Sequence, residues 1–572
     1  MPTITLNKIN IANLLKRKLK DVELVNAINM LGPSVENMEG DELSVEVPPN
    51  RPDLLSEQGM ARALSSFLGI KPGLKKYSVK KSNQKVIVED AVASVRPFTA
   101  CAIVKGLKCT DERIKDIIKI QEKLHITYGR KRKKCAIGIY PLEHIKLPIR
   151  FTAKKPEDIV FAPLDLNKEL NATQILVLHP TGREYGDLLK NEKKYPLFID
   201  AKNNVMSMPP IINSNSVGKI TEKTRDVFIE VSGFDFEYLN TALCILVAAL
   251  ADMGGEIYSI DVQYKGKRKT TPEFNPWIFK IDPETVNRRL GTMLNEQDIR
   301  KALAKMGHDY AGKTVMSPRW RSDLLHPVDF VEDIAIALGY DKIPAQQPQI
   351  AATGKADGRT NFAEAIRDVL VGLGGIEVKN YHLTSDKIQN KLLNLNEQSV
   401  ALANAFSEDY SALRSNLTAG ILLTLKENKT REFPQLIFEI GTIFRKAPDH
   451  DTLVHEQMQV VIALSEASAS FTKMRQVLQT LSSALAIELE VHETVHPAMI
   501  EGRTAAILHQ GKHAGIVGEI HPAILENFQL EMPTVITELS VSELRNHPLA
   551  LPSSDNASAT NNRASGKKRL HR

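Results

Sequence analysis

Cysteine is scarce in this chain. Four residues, Cys101, Cys109, Cys135 and Cys244, are spread over 572 positions, with no CxxC pair and no zinc-ligand spacing. A disulfide framework is therefore excluded as the organising device, and the thiols suit a reducing cytosol. Long hydrophobic runs are missing too. The longest, ALCILVAALA at Ala242 to Ala251, falls far short of the ~20 residues a membrane span needs and reads as a buried helix. The opening MPTITLNKIN has neither the apolar core of a signal peptide nor the Arg/Ser richness of a transit peptide, so a cytoplasmic protein with no membrane partner is expected. Nor is there strong charge of one sign: 74 Lys and Arg against 68 Asp and Glu leave a net +6. That balance permits a nucleic-acid partner without demanding one, because clustering of the cations decides the matter.

What is present is ordinary globular composition, at a length that implies three to five domains of ~100–200 residues each. Residues 1–85 read as a mixed α/β module. Ser56 is placed to cap a helix carrying Met60, Ala63, Leu64, Phe67 and Leu68 on one face, and the proline-rich VEVPPNRPDLLS before it presents Asn50, Arg51 and Asp53. KPGLKKYSVKKSNQK looks like a basic linker. Residues 90–265 hold strand-like runs between helical patterns, and 270–345 form a smaller helix-rich unit ending before KIPAQQPQIAATGKADGR, rich in turn formers. In 355–550, Asn361 and Glu364 approximate a capping box, LIFEIGTIF and MQVVIALS read as strands of an antiparallel sheet, and TAAILHQGKHAGIVGEI as a hairpin turning at Gln510–His513. The polar, basic tail 551–572 is expected to be disordered.

Three motifs carry possible chemistry. HETVH, His492 to His496, matches a zinc-protease pattern that needs both histidines on one helix. Here IELEVHETV alternates like a strand and Pro497 biases His496 away from helical geometry, so the match is rejected. GRKRKK, Gly129 to Lys134, offers Arg130, Lys131, Arg132, Lys133 and Lys134 as a solvated loop or a phosphate-binding patch. Finally, PRWRSDLLHPVDFVEDIAIALGY places Asp329, Glu332 and Asp333 at i, i+3 and i+4 of one helix face, with Asp323 arriving from the preceding segment. Val331, Ile334 and Leu338 take the core side. Acids at a helix start complement its dipole for ~0.3–1 kcal/mol each. Converging carboxylates would equally suit a hard divalent cation such as Mg²⁺. Spacing leaves both open.

PRWRSDLLHPVDFVEDIAIALGYDKIP resembles the B5 module of the phenylalanyl-tRNA synthetase beta-subunit family. VPPNRPDLLS resembles that family's N-terminal module. KLHITYGRKRKKCAIGIY with FIDAKNNVMSMPPIINSNSVGKITEKTRDVFIEVSGFD resembles its B3/B4 editing domain, and FPQLIFEIGTIF with VHPAMIEGRTAAILHQGKHAGIVGEIHP its catalytic-like domain. These blocks lie in order over about residues 1 to 550, with the compact length of the archaeal and eukaryotic cytosolic type.

The resemblance implies an α+β, multi-domain fold: a mixed α/β B3/B4 domain, a helical, winged-helix-like B5 module and a class II synthetase-like antiparallel sheet flanked by helices. It implies an (alpha–beta)2 heterotetramer acting on phenylalanine, ATP and tRNA(Phe). It assigns Asp323, Asp329, Glu332 and Asp333 to a Mg²⁺ site shared with the alpha subunit. No Arg-bearing, Gly-rich third motif is found, so the synthetic site is expected on the alpha subunit, which leaves this chain tRNA binding, assembly and hydrolysis of Tyr-tRNA(Phe). Asn213, Ser214, Ser216 and Thr224 become candidate pocket residues, with Glu230 as acceptor for the tyrosyl hydroxyl and no catalytic base assigned. A freestanding RNA-binding or trans-editing protein, or a structural paralogue without editing, are the rival readings.

Overall fold

The computed structural model describes residues 2–348 and 354–545; the tail 551–572 and the middle of the Pro/Gly/Ala-rich boundary segment lie outside them. The chain divides at Pro348/Gln349 into two compact units. Both are mixed α/β with several sheets. No helix among the described residues is long and apolar enough to cross a membrane.

The first unit is built on a ten-stranded mixed sheet. From one edge its strands are Ile212–Asn213, Val205–Met208, Tyr195–Ile199, Ile149–Lys154, Val79–Val88, Glu256–Tyr264, Phe98–Lys105, Val227–Gly233 and Cys135–Pro141, with Lys267–Thr271 paired to Glu256–Tyr264. Val227–Gly233 is buried at every position, and helix Phe236–Asp252 packs behind it with thirteen buried residues, as its unbroken apolar run requires. Three-stranded sheets stand before and after it in sequence, the second formed by Trp277–Lys280, Thr314–Ser317 and Asp309–Ala311. One apolar core runs through Leu6, Met60, Leu246, Leu303 and Phe330, so the modules expected at 1–85, 90–265 and 270–345 share an interior.

Two expectations fail here. The supposed linker, 71–85, runs into strand Val79–Val88, which pairs in parallel with Glu256–Tyr264; its lysines occupy exposed positions, and the buried Val86 and Val88 lie just beyond it. Arg51 and Asp53 are not presented to solvent. Both are buried, joined by paired guanidinium–carboxylate bonds of 2.9 Å. Ser56 does cap its helix, accepting from Gly59 N–H at 3.1 Å.

The second unit carries a seven-stranded sheet, ordered Ile376–Glu377, Gln435–Lys446, Val454–Ser465, Thr534–Ser540, Lys512–Ile520, Met499–His509 and Glu490–Glu493, antiparallel except at the first pair. Alternate residues feed opposite faces. Phe438, Ile440, Val460 and Ile462 meet helices Gly358–Gly372 and Phe471–Leu485, while Ile437, Ile443, Val461 and Ala463 meet Thr418–Glu427 and Pro522–Asn527. The hairpin turns where expected, with Gln510 and Gly511 at φ 52° and 73°. Asn361 caps nothing: its helix begins a turn earlier, and its own N–H already donates to Asp357 O at 3.1 Å.

Candidate functional site

A cavity of about 320 Å³ opens beside strand Cys135–Pro141, between helix Asp111–Ile126 and the segment 207–220. Among its lining residues is Glu230, on the wholly buried strand Val227–Gly233 and only 2% exposed. Oε1 of Glu230 accepts from the Tyr140 hydroxyl at 3.2 Å, and Asn213 Oδ1 lies 3.3 Å from the same hydroxyl. Among the described residues Oε2 has no hydrogen-bond partner, nor does the buried Ser207 Oγ on the cavity wall. Burial raises the Glu230 carboxyl to about 8, against the opposing charge of Arg96. Burial and the neighbouring Glu230 push the Tyr140 phenol well above its usual range, so it stays a donor. Gly138 makes room for this pair: a Cβ there would overlap both the Tyr140 hydroxyl and Oε1 of Glu230 and displace them.

The upper wall is tied by Arg132. Its guanidinium donates to Ile211 O (2.8 Å) and Pro210 O (3.3 Å), pairs with Glu122 at 3.2 Å, and lies 4.4 Å from the Tyr185 ring centroid. His125, in the last turn of helix Asp111–Ile126, accepts from Ile137 N–H through Nε2 at 2.8 Å and sits 3.1 Å from Glu122 through Nδ1. Burial depresses the His125 imidazole despite Glu122, so it serves as a neutral acceptor. Arg130, Lys131 and Arg132 adopt φ of 49°, 53° and 63°, three successive left-handed residues. Each such conformation costs roughly 1–2 kcal/mol. The turn offsets this by capping the helix, with Gly129, Arg132 and Lys131 N–H groups donating to Leu124, His125 and Ile126 carbonyls.

The expected site residues therefore separate. Asn213 and Glu230 line the cavity together. Ser214 and Ser216 bond one another at 2.9 Å, and buried Thr224 accepts from Thr221 N–H at 3.1 Å; these three shape turns. Of the basic run, Arg130, Lys131, Lys133 and Lys134 are exposed, whereas Arg132 is folded into the cavity wall. Tyr140, Ser207, Glu122 and His125 were not singled out from the sequence; the i, i+3 spacing of Glu122 and His125 was the available signal for that pair.

The acidic cluster also separates. Arg321 binds Asp323 through Nε (2.8 Å) and Nη2 (2.7 Å) and reaches Asp333 at 2.9 Å. His308 Nε2 lies 2.7 Å from Asp333 Oδ2. Burial would raise the Asp333 carboxyl, but Arg321 and His308 hold it at about 2. Asp329 Oδ2 accepts from Leu325 and His326 N–H groups, both at 2.7 Å, and Glu332 accepts from the Tyr340 hydroxyl at 2.6 Å. The shared acidic face fails at Asp333, which turns inward because Arg321 supplies its countercharge. Among the described residues no group of three or more His, Cys, Asp or Glu is placed to hold a metal ion. Side chains so committed do not fit a Mg²⁺ cage.

Residues 343–541 match the family model described as the phenylalanyl tRNA synthetase beta chain CLM domain, and 279–340 the tRNA synthetase B5 domain. The chain is 38% identical over 503 residues to the phenylalanine–tRNA ligase beta subunit of Pyrococcus horikoshii, covering 87% of this chain and 90% of that one. It is 35% identical over 527 residues to that of Archaeoglobus fulgidus, covering 91% and 94%. A crystal structure of an N-terminal fragment of the Pyrococcus horikoshii phenylalanyl-tRNA synthetase beta subunit superposes with a TM-score of 0.57 at 36% identity, over 59% of this chain and all of the fragment. The chain belongs to the phenylalanine–tRNA ligase beta-subunit family of aminoacyl-tRNA synthetase subunits.

Proposed function

We propose that this chain works in the cytoplasm with an alpha subunit, as an (alpha–beta)2 heterotetramer, in the ATP- and Mg²⁺-dependent attachment of phenylalanine to tRNA(Phe), and that its cavity hydrolyses tRNA(Phe) wrongly charged with tyrosine. Phenylalanine activation belongs on the alpha subunit in this division of labour. The seven-stranded sheet with helices on both faces supports a class II synthetase-like module. Three short strands with helices Pro283–Leu290, Glu296–Lys305 and Asp329–Leu338 support a winged-helix-like B5 module.

The observation that carries the proofreading reading is the unpartnered Glu230 Oε2 at the buried end of the cavity. An unsatisfied buried acceptor costs about 1–3 kcal/mol. A tyrosyl hydroxyl entering the cavity would relieve that cost and a phenylalanyl ring would not, which selects the wrong ester for retention. Hydrolysis then adds water to the ester carbonyl, and the terminal ribose oxygen leaves carrying a proton. A water fixed against the bound ester suffices as nucleophile. The exposed Arg130, Lys131, Lys133 and Lys134, beside the Arg132 wall, would hold phosphates of the entering tRNA end in this reading.

The test is hydrolysis of Tyr-tRNA(Phe) and Phe-tRNA(Phe) by the assembled ligase, comparing wild type with Glu230→Met. The variant is expected to treat both esters alike. Undiminished preference for the tyrosyl ester would overturn the assignment.

A further inference from the structure

The basic stretch that opens at Lys71 has no part in the cavity. Residues 71–76, KPGLKK, hold three lysines and no acid, and residues 8–20, KINIANLLKRKLK, hold five Lys and Arg and no acid. The fold brings the two stretches together. A cleft of about 560 Å³ is lined by Lys16 from one and by Lys71 and Lys75 from the other. A second groove of about 970 Å³ shares Leu15 and Lys16 with it and adds Lys8, Arg17 and Lys18. Lys16 stands between the two lobes. Its backbone is pinned at φ 54°, closing helix Lys8–Leu15, with its N–H directed to Ala12 and Asn13 carbonyls.

The acids in this double groove are already taken. Lys8 pairs with Asp21 (3.5 Å) and Asp41 (3.3 Å); Arg62 and Lys75 hold Asp252 at 2.7 and 2.5 Å. Arg17 is paired with Glu23 at 2.8 Å. Lys16, Lys18 and Lys71 are exposed, and none has an acidic partner among the described residues. Lys20 and Lys76 flank the groove in the same condition. A run of lysines on a convex face is usually no more than solvated charge. These line a concavity, come from two separate stretches, and keep their charge uncompensated while their neighbours' charges are cancelled.

We propose that this two-lobed groove grips the ribose–phosphate backbone of the RNA substrate, at a site separate from the proofreading cavity. Compact ammonium groups on flexible stems serve phosphates as point charges and read no base, so the contact adds affinity and orientation without sequence preference. RNA is favoured over an acidic protein face because the family's substrate is itself a polyanion. The inference rests on family membership alone and is read by binding, so it and the proofreading assignment can fail independently.

The experiment measures binding of an unmodified tRNA(Phe) transcript to the assembled ligase by fluorescence anisotropy from 50 to 200 mM salt. Wild type is compared with Lys16→Gln/Lys18→Gln/Lys71→Gln and with a control of equal charge loss, Lys190→Gln/Lys193→Gln/Lys194→Gln, on another exposed loop. Loss of three phosphate contacts lowers the salt slope by about 2 to 3, so the deficit of the groove variant shrinks about thirty-fold across that range. The control is expected to follow wild type. An unchanged slope in the groove variant overturns the proposal, as does an equal loss in both variants. Weaker tRNA binding that appears only with dissociation of the subunits also overturns it and assigns the groove to an acidic protein surface.

Discussion

Glu230 and Asp333 are both buried carboxylates of the first unit, 2% and 3% exposed, and their surroundings differ in almost every other respect. Asp333 receives a guanidinium and an imidazole, and its charge is cancelled where it sits. Glu230 receives one phenol on one oxygen and nothing on the other. The consequence is opposite displacement: Asp333 is held at about 2, whereas Glu230 is raised to about 8. A buried acid with both oxygens engaged is a clamp between segments, here joining helix Asp329–Leu338 to the loop that carries Arg321. One left incomplete at the end of a cavity retains capacity for a ligand. The comparison teaches that burial of a charge-bearing group does not by itself identify a site; an unmet hydrogen bond on a residue that also lines a cavity is the stronger pointer.

The largest effect should come from breaking the clamp. Arg321→Met strands Asp323 and Asp333 without their cation, and removing one partner of a buried pair costs about 3–5 kcal/mol. Denaturant unfolding should show that loss, and a change within 1 kcal/mol would mean that the pair is not held as described. Glu230→Met removes an acceptor that nothing in the fold depends on, since Tyr140 keeps Asn213 Oδ1 at 3.3 Å. Stability should hold or rise, while Tyr-tRNA(Phe) hydrolysis falls about 2- to 13-fold near neutral pH, the worth of a hydrogen bond of about 0.5–1.5 kcal/mol to a carboxyl that keeps its proton there.

The pH dependences should run in opposite directions. Glu230 binds its proton more tightly folded than unfolded, so its contribution is complete below about 4.5 and is lost as pH rises to about 8. Asp333 binds its proton less tightly folded, so its contribution is complete above about 3.8 and is lost as pH falls through about 2. Stability differences between wild type and Glu230→Met above pH 4.5, and between wild type and Asp333→Asn below pH 4, would reveal the two slopes. Slopes of the same sign would abolish the distinction.

Local pattern foretold structure wherever the local answer was also the global one. The HETVH histidines do not share a helix because His492 lies in strand Glu490–Glu493, as its alternation and Pro497 indicate. The turn at Gln510 and the Ser56 cap follow from residue chemistry alone. Two failures share a cause. Spacing put Asp333 on an acidic face and Arg132 in a solvated cationic run, and both side chains turned inward toward partners far away in sequence or outside the pattern considered: Arg321 and His308 for one, Pro210 and Ile211 carbonyls for the other. Helical and run-length patterns report which residues are neighbours along the chain. They do not report a countercharge delivered from another segment, and that countercharge decides whether an ion is buried.

The smallest predicted effect bears on Asp329, a half-buried acid of the cluster with no cation beside it among the described ion pairs. Asp329 accepts two backbone N–H groups of the loop that leads into its helix, hydrogen bonds whose loss costs about 0.5–1.5 kcal/mol each. Asp329→Asn should recover most of that loss and Asp329→Ala should not, because the amide oxygen still accepts where a methyl group does not. A metal ligand would behave differently: Asn would fail nearly as badly as Ala, and millimolar Mg²⁺ would raise the melting temperature of wild type according to its occupancy. With Asp323 and Asp333 both committed to Arg321, the expected result is rescue by Asn and a melting temperature indifferent to Mg²⁺ in the chain by itself. A Mg²⁺-dependent rise abolished by Asp329→Asn would show that Arg321 yields its carboxylates to the ion, and Asp333 would then join Glu230 as a group held ready for a ligand.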